Sequence, residues 1–485
     1  MKLTLSAILL LFPVSVLAYS PKSPNEHLDD HRIADERVRE NIQYALATQP
    51  KQTVVPNIQP QQTVALSESQ LQQHPDLLER ALIAALLQGN GENASLLLPH
   101  YQKLPENLQD PTFHLWARAL IARWRHQYTQ SVRLYRQALA QQPDWSVLRL
   151  QTAAALLSNK EFDAAEAQFR KVQSENQLPA GLAQEIESVL LYIKRQSRWQ
   201  FSGNTTYIND KNINNAPKNP DLGGGWRGDQ AESGQGLAVN LGINKKWFWK
   251  NGLFNEWRLD SNSKFYWNNK RFNEANVRAS MGIGYQNARN SITVLPFFEQ
   301  AWYAGGKKGN ETLRRFSNSR GIALEATHTF SPKWQGSLTA ETAQNRYRTR
   351  KHLNGNTHFV SLSAVYQHNP SQAWFGGIDW HRNNARDGDD SFDRIGVRAG
   401  WLQDWKGLST RLITSYGKKN YRSAGFFNKT QRNRELGVQV SVWHRALHWQ
   451  GLTPRLTWSY TKTDSNIPLF RYNKQRLFLE INKQF

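Results

Sequence analysis

The chain has 485 residues, a formal net charge of +22 and no cysteine. It therefore has no disulfide, no thiolate chemistry and no lipidated cysteine of its own. No run beyond the first twenty residues approaches the eighteen or so apolar positions of a transmembrane helix, so a place in a membrane would have to be taken as a β-barrel.

Charge divides the chain. Residues 1–197 carry 19 Lys+Arg and 19 Asp+Glu, whereas residues 198–485 carry 42 and 20, and 15 of the 18 tryptophans. The opening MKLTLSAILLLFPVSVLAYS, with one lysine and an apolar run from Leu3 to Leu17, reads as a secretory signal peptide over residues 1–18, cut between Ala18 and Tyr19. For an exported protein, a basic excess points to anionic lipid, lipopolysaccharide or an acidic passenger rather than to nucleic acid. Residues 19–71 form an N-terminal segment that ends in a Pro/Gln-rich linker, TQPKQTVVPNIQPQQTV. Its first part, 19–47, reads equally as a solvated tail or as a charged docking helix.

Residues 72–197 read as helices. LLERALIAALLQGNG, FHLWARALIARW, QSVRLYRQALAQQ, SVLRLQTAAALLSN and FDAAEAQFRKVQ all place apolar residues at helical spacing. Two pairs recur 34 residues apart: Tyr128 with Phe162, Ser131 with Ala165, Tyr135 with Phe169, and Tyr101 keeps the Tyr135 register one period earlier. Tetratricopeptide repeats put small and aromatic residues at these positions, and Ala138 and Pro143 suit the later ones. About three repeats over residues 72–178 are expected, closed by a last helix in QLPAGLAQEIESVLLYIKRQ.

From residue 198 the period becomes two. QGLAVNLGI, NVRASMGIGY, RGIALEAT, FVSLSAVY, RIGVRAGW, ELGVQVSVW, PRLTWSY and RLFLEIN alternate apolar with polar or small residues. Fourteen strand candidates can be placed, with connections expected to alternate strictly between long and short. The long ones are 209–235, 268–275, 304–318, 348–357, 383–393, 418–433 and 462–474. The short ones include NARNS, SPKWQ, NPSQ, DWKG and the turn at Asn251-Gly252. Long loops at one end and tight turns at the other are the mark of an outer-membrane barrel. The fold class expected is thus an α + β membrane protein: tetratricopeptide-type α-helical repeats, then an antiparallel transmembrane β-barrel of about fourteen strands over residues 198–485. Trp247, Trp249, Trp334, Trp405 and Trp449 flank the short turns and suggest an interfacial girdle; a carbohydrate-binding surface is the competing reading. At the end of the chain, Leu477, Leu479 and Ile481 alternate toward a terminal Phe485, which resembles the C-terminal signal read by barrel-insertion machinery. Lys483 departs from that signal, at a cost of about 0–1 kcal/mol near the interface.

No HExxH, nucleophile elbow, P-loop or metal-spaced Cys/His set occurs. No catalytic, cofactor or metal site is therefore expected. DGDD (Asp387–Asp390) lacks the following ligands of a calcium loop and reads as a solvated turn, GGGWRG (223–228) as a flexible surface loop, and His368, His381 and His444 share no motif. Strand parity turns Arg278, Arg394, Arg398, Arg411, Arg455 and Arg476 toward the lumen, with Glu325, Glu341 and Glu435 among them. Such residues either line a basic conduit for an anionic or polar passenger or pair with one another and fill it.

The stretches RWQFSGNTTYINDKNINNAP, GIGYQNARNSITVLPFFEQAWY, GVRAGWLQDWKG and RLFLEINKQF resemble the surface lipoprotein assembly modulator (Slam) family of Gram-negative bacteria. The likeness covers essentially the whole mature chain. It implies transport of lipoproteins from the periplasm to the cell surface, with transferrin-binding, lactoferrin-binding or factor H-binding lipoproteins as clients and a periplasmic lipoprotein carrier as a partner. It carries no client-contact residues over to this chain. Two other readings stay open: a polysaccharide exporter with tetratricopeptide repeats, and a substrate-specific porin with a periplasmic adaptor.

Overall fold

The computed structural model describes residues 74–175, 178–223, 226–306, 309, 311–447 and 452–484. The expected signal segment with Ala18 and Tyr19, the linker before the helices, Trp449 and the terminal Phe485 lie outside the described residues.

Among the described residues seven α-helices come first: α1 (Pro75–Gln88), α2 (Gly91–Tyr101), α3 (Pro111–Trp124), α4 (Tyr128–Gln141), α5 (Ser146–Ser158), α6 (Phe162–Gln173) and α7 (Ala180–Gln196). The punctuation is local. Gly89 leaves α1 in the left-handed region at φ 67° while Asn90 N–H returns to the Ala85 carbonyl at 2.9 Å. Asn90 then caps α2 by accepting from the Asn93 amide at 3.0 Å. Asp110 does the same for α3, accepting from Thr112 N–H at 2.6 Å ahead of Pro111 in the first turn. The first six helices form three antiparallel pairs and α7 packs against α6. One continuous apolar core runs through all seven.

The residues that repeat every 34 positions sit where the helices cross. Tyr101, Ser131, Tyr135, Ala138 and Ala165 are fully buried, and Phe162 and Phe169 nearly so. Small side chains at 131 and 165 let α4 and α6 lie close to their partners, and Ser131 Oγ donates to the Ala119 carbonyl at 2.8 Å. Tyr128 differs from its counterpart Phe162: it is half-buried, with its hydroxyl 2.9 Å from His126 Nδ1.

The second half is a closed antiparallel barrel of fourteen strands. They are β1 (Gln200–Asp210), β2 (Gly234–Phe248), β3 (Leu253–Tyr266), β4 (Glu274–Gln286), β5 (Asn290–Tyr303), β6 (Arg314–Ser331), β7 (Trp334–Tyr347), β8 (Gly355–Asn369), β9 (Gln372–Ala385), β10 (Phe392–Trp405), β11 (Leu408–Ala424), β12 (Thr430–His444), β13 (Leu452–Ser465) and β14 (Tyr472–Gln484). Each strand pairs with its sequence neighbours, and β1 closes the wall against β14. Burial follows parity. On β4 the even positions from Glu274 to Gln286 are buried, while Met281, Ile283 and Tyr285 are exposed. The same apolar outer face continues around the wall through Leu237, Leu259, Ile322, Leu362, Ile378, Val397, Leu412, Leu456 and Leu479. A surface that apolar on every strand belongs in hydrocarbon. Among the described residues no helix is long and apolar enough to cross a membrane.

The strict alternation of connection lengths does not hold. The strands run further into the outer connections than hydropathy suggests, because inward charged and outward polar residues still pair backbone to backbone. The segment 418–433 is mostly ladder, leaving only 425–429 as the connection, and 304–318 shrinks to 304–313. At the other end, 445–451 between β12 and β13 is no shorter than several outer loops. The remaining inner turns are tight. Asn251 (φ 61°) and Gly252 (φ 78°) supply the positive dihedrals of a hairpin turn. The longest connection, 211–233, is not wholly irregular either. Asp221–Gly223 pairs with Trp226–Arg227, and Ile213 packs among Ile208, Ala238, Tyr266 and Phe272.

Candidate functional site

Two places bring polar side chains together: the barrel interior and the rim where the helices meet the short turns. In the interior every arginine expected at the lumen faces inward. Arg394 donates to Asp379 at 2.5 Å and to Glu435 at 2.8 Å; Arg398 donates to the other oxygen of Asp379 at 2.9 Å and to Ser361 Oγ at 2.8 Å. Asp379 on β9, Ser361 on β8 and Glu435 on β12 are all buried. Glycines make the room for this cluster. A Cβ on Gly417 would fall 2.6 Å from the Arg394 guanidinium, and one on Gly377 would fall 2.7 Å from that of Arg398.

Arg278 belongs to a second cluster on β3–β7. It reaches Glu341 at 3.0 Å and Glu299 at 3.8 Å, with its guanidinium 3.4 Å from the centre of the Phe297 ring. Beside it, Arg258 is held by Glu256 at 2.7 Å and by both oxygens of Glu325 at 3.0 and 3.1 Å. The other three lie apart from both clusters. Arg411 is 3.4 Å from Ser441 Oγ, Arg455 is 3.8 Å from Glu480, and Arg476 is 4.0 Å from Asp210, which Lys474 also approaches at 3.4 Å. The charges thus pair across the interior and fill it. Breaking a pair buried this way costs about 3–5 kcal/mol, because the remaining charge loses its partner without regaining water.

Asp379, Glu256, Arg258, Asp260, Glu299 and Lys474 were not singled out from the sequence. A signal existed for three of them: in EWRLD, charges at 256, 258 and 260 interleave with Trp257 and Leu259, which is the lumen parity of a strand.

In the helical stack a single buried amide ties three repeats together. Gln151 accepts from Trp116 Nε1 at 2.7 Å and from the Tyr135 hydroxyl at 3.0 Å, and donates to the Leu86 carbonyl at 2.6 Å. Burial pushes the Tyr135 phenol up to about 12. Burial likewise lowers the His114 imidazole, with Arg118 adding to the effect.

The stack is docked on the short-turn end of the barrel. Phe248, at the end of β2, joins the helical core and meets Phe162 edge-on at 4.9 Å. Gln286 Nε2 donates to the Lys160 carbonyl at 3.3 Å, Ala288 N–H to Asn159 Oδ1 at 3.4 Å, and Arg289 to the His126 carbonyl at 3.4 Å. Lys245 lies over the rings of Trp199 and Trp247, at 5.2 and 4.8 Å. Trp249, Trp334 and Trp405 are exposed near the same end.

The other sequence features stay apart. Asp387, Asp389 and Asp390 lie together on an exposed turn, with His352 3.9 Å from Asp390; burial and then Asp389 raise the Asp390 carboxyl. His381 is buried edge-on against Phe392, His368 is exposed, and His444 Nδ1 accepts from the Ala446 amide at 3.0 Å.

A family profile described as "Surface lipoprotein assembly modifier" matches residues 199–485, and one described as "Surface lipoprotein assembly modifier, N-terminal TPR repeats" matches residues 64–169. Surface lipoprotein assembly modifier 1 of Haemophilus influenzae is 39% identical over 486 residues, covering 100% of this chain and 98% of that protein. Its namesake in Neisseria meningitidis serogroup B is 34% identical, covering 86% and 84%. The hemophilin secretion modulator of Acinetobacter baumannii is 24% identical, covering 86% and 88%. Among solved structures, a Pseudomonas aeruginosa FadL homologue aligns with a TM-score of 0.34 and 8% identity, over 59% of this chain and 89% of that one.

Proposed function

This chain belongs to the surface lipoprotein assembly modifier family of the outer membrane, and we propose that it moves lipoproteins from the periplasm to the cell surface. The observation that carries this reading is the docking of the helical stack onto the short-turn rim through Phe162 and Phe248. In outer-membrane barrels the short-turn end is the periplasmic one, and an incoming lipoprotein, or its periplasmic carrier, held there is concentrated at the barrel mouth.

With the interior crossed by these charge pairs, the passenger would have to be unfolded, and the pairs would have to part to admit it. Its acyl chains stay in lipid, and the seam between β1 and β14 is where they would travel. There Ser202–Tyr207 pairs with Leu479–Gln484, followed only by Asp210 with Arg476, whereas β1 pairs with β2 at every position from Gln200 to Asp210. Folding of the passenger outside, or a partner, supplies the drive. The matches to this family lend nothing to the polysaccharide-exporter or porin readings.

The test removes the stack. A chain lacking residues 74–196 should still insert as a heat-modifiable barrel yet leave a co-expressed client lipoprotein hidden from protease on intact cells. Full client display by the truncated chain would overturn the role given to the helices.

A further inference from the structure

The outer face of β11 and β12 departs from the apolar wall in one place. Below it Leu412, Tyr416 and Leu436 are exposed to lipid in the ordinary way. Above Tyr416, toward the outer connections, the outward positions become Lys418, Asn420 and Arg422 on β11 and Arg434 and Arg432 on β12, all exposed. The ladder sets Lys418 directly opposite Arg434, and Asn420 opposite Arg432. Like charges facing each other across a rung are unfavourable unless an anion comes between them.

Nearby carboxylates do not serve. Asp393 is taken by Arg382 at 2.5 Å and Arg422 at 3.4 Å; Asp464 stands opposite Arg434 on the β13 side of the ladder, but its carboxylate is held by Lys462 at 3.0 Å. Among the described residues no acid pairs with Lys418, Arg432 or Arg434. β4, by contrast, carries no charge at its outward positions (Ala275, Val277, Ala279, Met281, Ile283, Tyr285).

Lys418 lies at the top of the apolar span of β11, where an outward band about 25 Å tall gives way to headgroups. We propose that this patch is a binding site for the phosphorylated glycolipid of the outer leaflet, lipopolysaccharide. A phosphate sits between Lys418, Arg432 and Arg434, Asn420 donates from the centre, and acyl chains lie on Tyr416 and Leu436. Guanidinium groups suit the task because their forked donors match phosphate oxygens. The site would anchor the β11–β12 side of the barrel in the outer leaflet.

The experiment titrates the full-length protein in detergent with bis-phosphorylated lipid A and reads binding by native mass spectrometry. At about a factor of five per cation at a membrane surface, the pair Lys418→Gln/Arg434→Gln should bind about thirty-fold more weakly. Arg432→Gln alone should bind about five-fold more weakly. The control pair Arg320→Gln/Arg346→Gln, on β6 and β7, should bind as the native protein does. Lipid A stripped of phosphate should bind weakly, and inorganic pyrophosphate should not displace the intact lipid. A heat-dependent gel shift verifies that each variant is a folded barrel; should the double variant fail it, Arg432→Gln carries the test. Equal weakening by the control pair, undiminished binding of the phosphate-free lipid, or displacement by pyrophosphate alone would each overturn the proposal.

Discussion

Replacing Asp379 with asparagine removes a negative charge shared by Arg394 and Arg398 while keeping the side chain's size. Both guanidinium groups are buried, and neither can turn toward water without moving a strand. Arg394 keeps Glu435 at 2.8 Å, and Arg398 keeps the Ser361 hydroxyl at 2.8 Å. The loss should therefore sit near the lower end of the range for a broken buried pair, about 3 kcal/mol. Urea unfolding of the barrel in micelles measures it. Asp393→Asn, which also loses contacts to two arginines but lies on the outward face, should cost about 1 kcal/mol or less. Adding Arg398→Met to Asp379→Asn should recover part of the loss, since the buried guanidinium that lost this carboxylate is then gone as well. If Asp379→Asn costs no more than Asp393→Asn, the interior clusters are solvated and the barrel is not filled in the way described.

Gln151→Leu leaves the Trp116 N–H and the Tyr135 hydroxyl without their acceptor, while the Leu86 carbonyl keeps the Gly89 N–H at 3.1 Å, and should destabilise the helices by about 2 kcal/mol, read as loss of helical circular dichroism at lower temperature with the barrel signal unmoved. Gly417→Val should drive the Arg394 guanidinium from its place and weaken the same cluster as Asp379→Asn, so the two losses in urea should fall short of additive. Phe248→Ala should leave barrel insertion intact but expose the segment around Ser197 to added protease, because the edge-on contact with Phe162 is gone. Stability of the helical stack should fall between pH 10 and about 12, because the unfolded chain releases the Tyr135 proton in that interval and the folded one retains it; Tyr135→Phe should remove that part of the slope.

The two-part architecture was legible in the sequence because each part follows a period. The 34-residue recurrence of Tyr135 and Phe169 reports helix crossings that lie close along the chain, and the alternation in NVRASMGIGY reports a wall with lipid on one side. Parity also turned the six arginines inward. What it could not supply was their partners. Arg278 meets Glu341 three strands away, and Gln151 meets Leu86 two repeats away. Those contacts depend on how the barrel closes and how the stack coils, which no local pattern encodes. Strand ends were misjudged for a related reason. At 418–433 the residues are too polar to look like strand, yet the backbone ladder continues through them to Asn420 and Arg432 and resumes at Ala424 and Thr430.

The barrel and its rim-docked helices are proposed to carry lipoproteins to the outside. The most direct measurement is the protease sensitivity of a candidate lipoprotein on intact cells, with and without the full-length chain. Digestion is expected when the chain is present and protection when it is absent, at equal client abundance. A client equally protected in both, with the barrel folded in the membrane, would contradict the proposal.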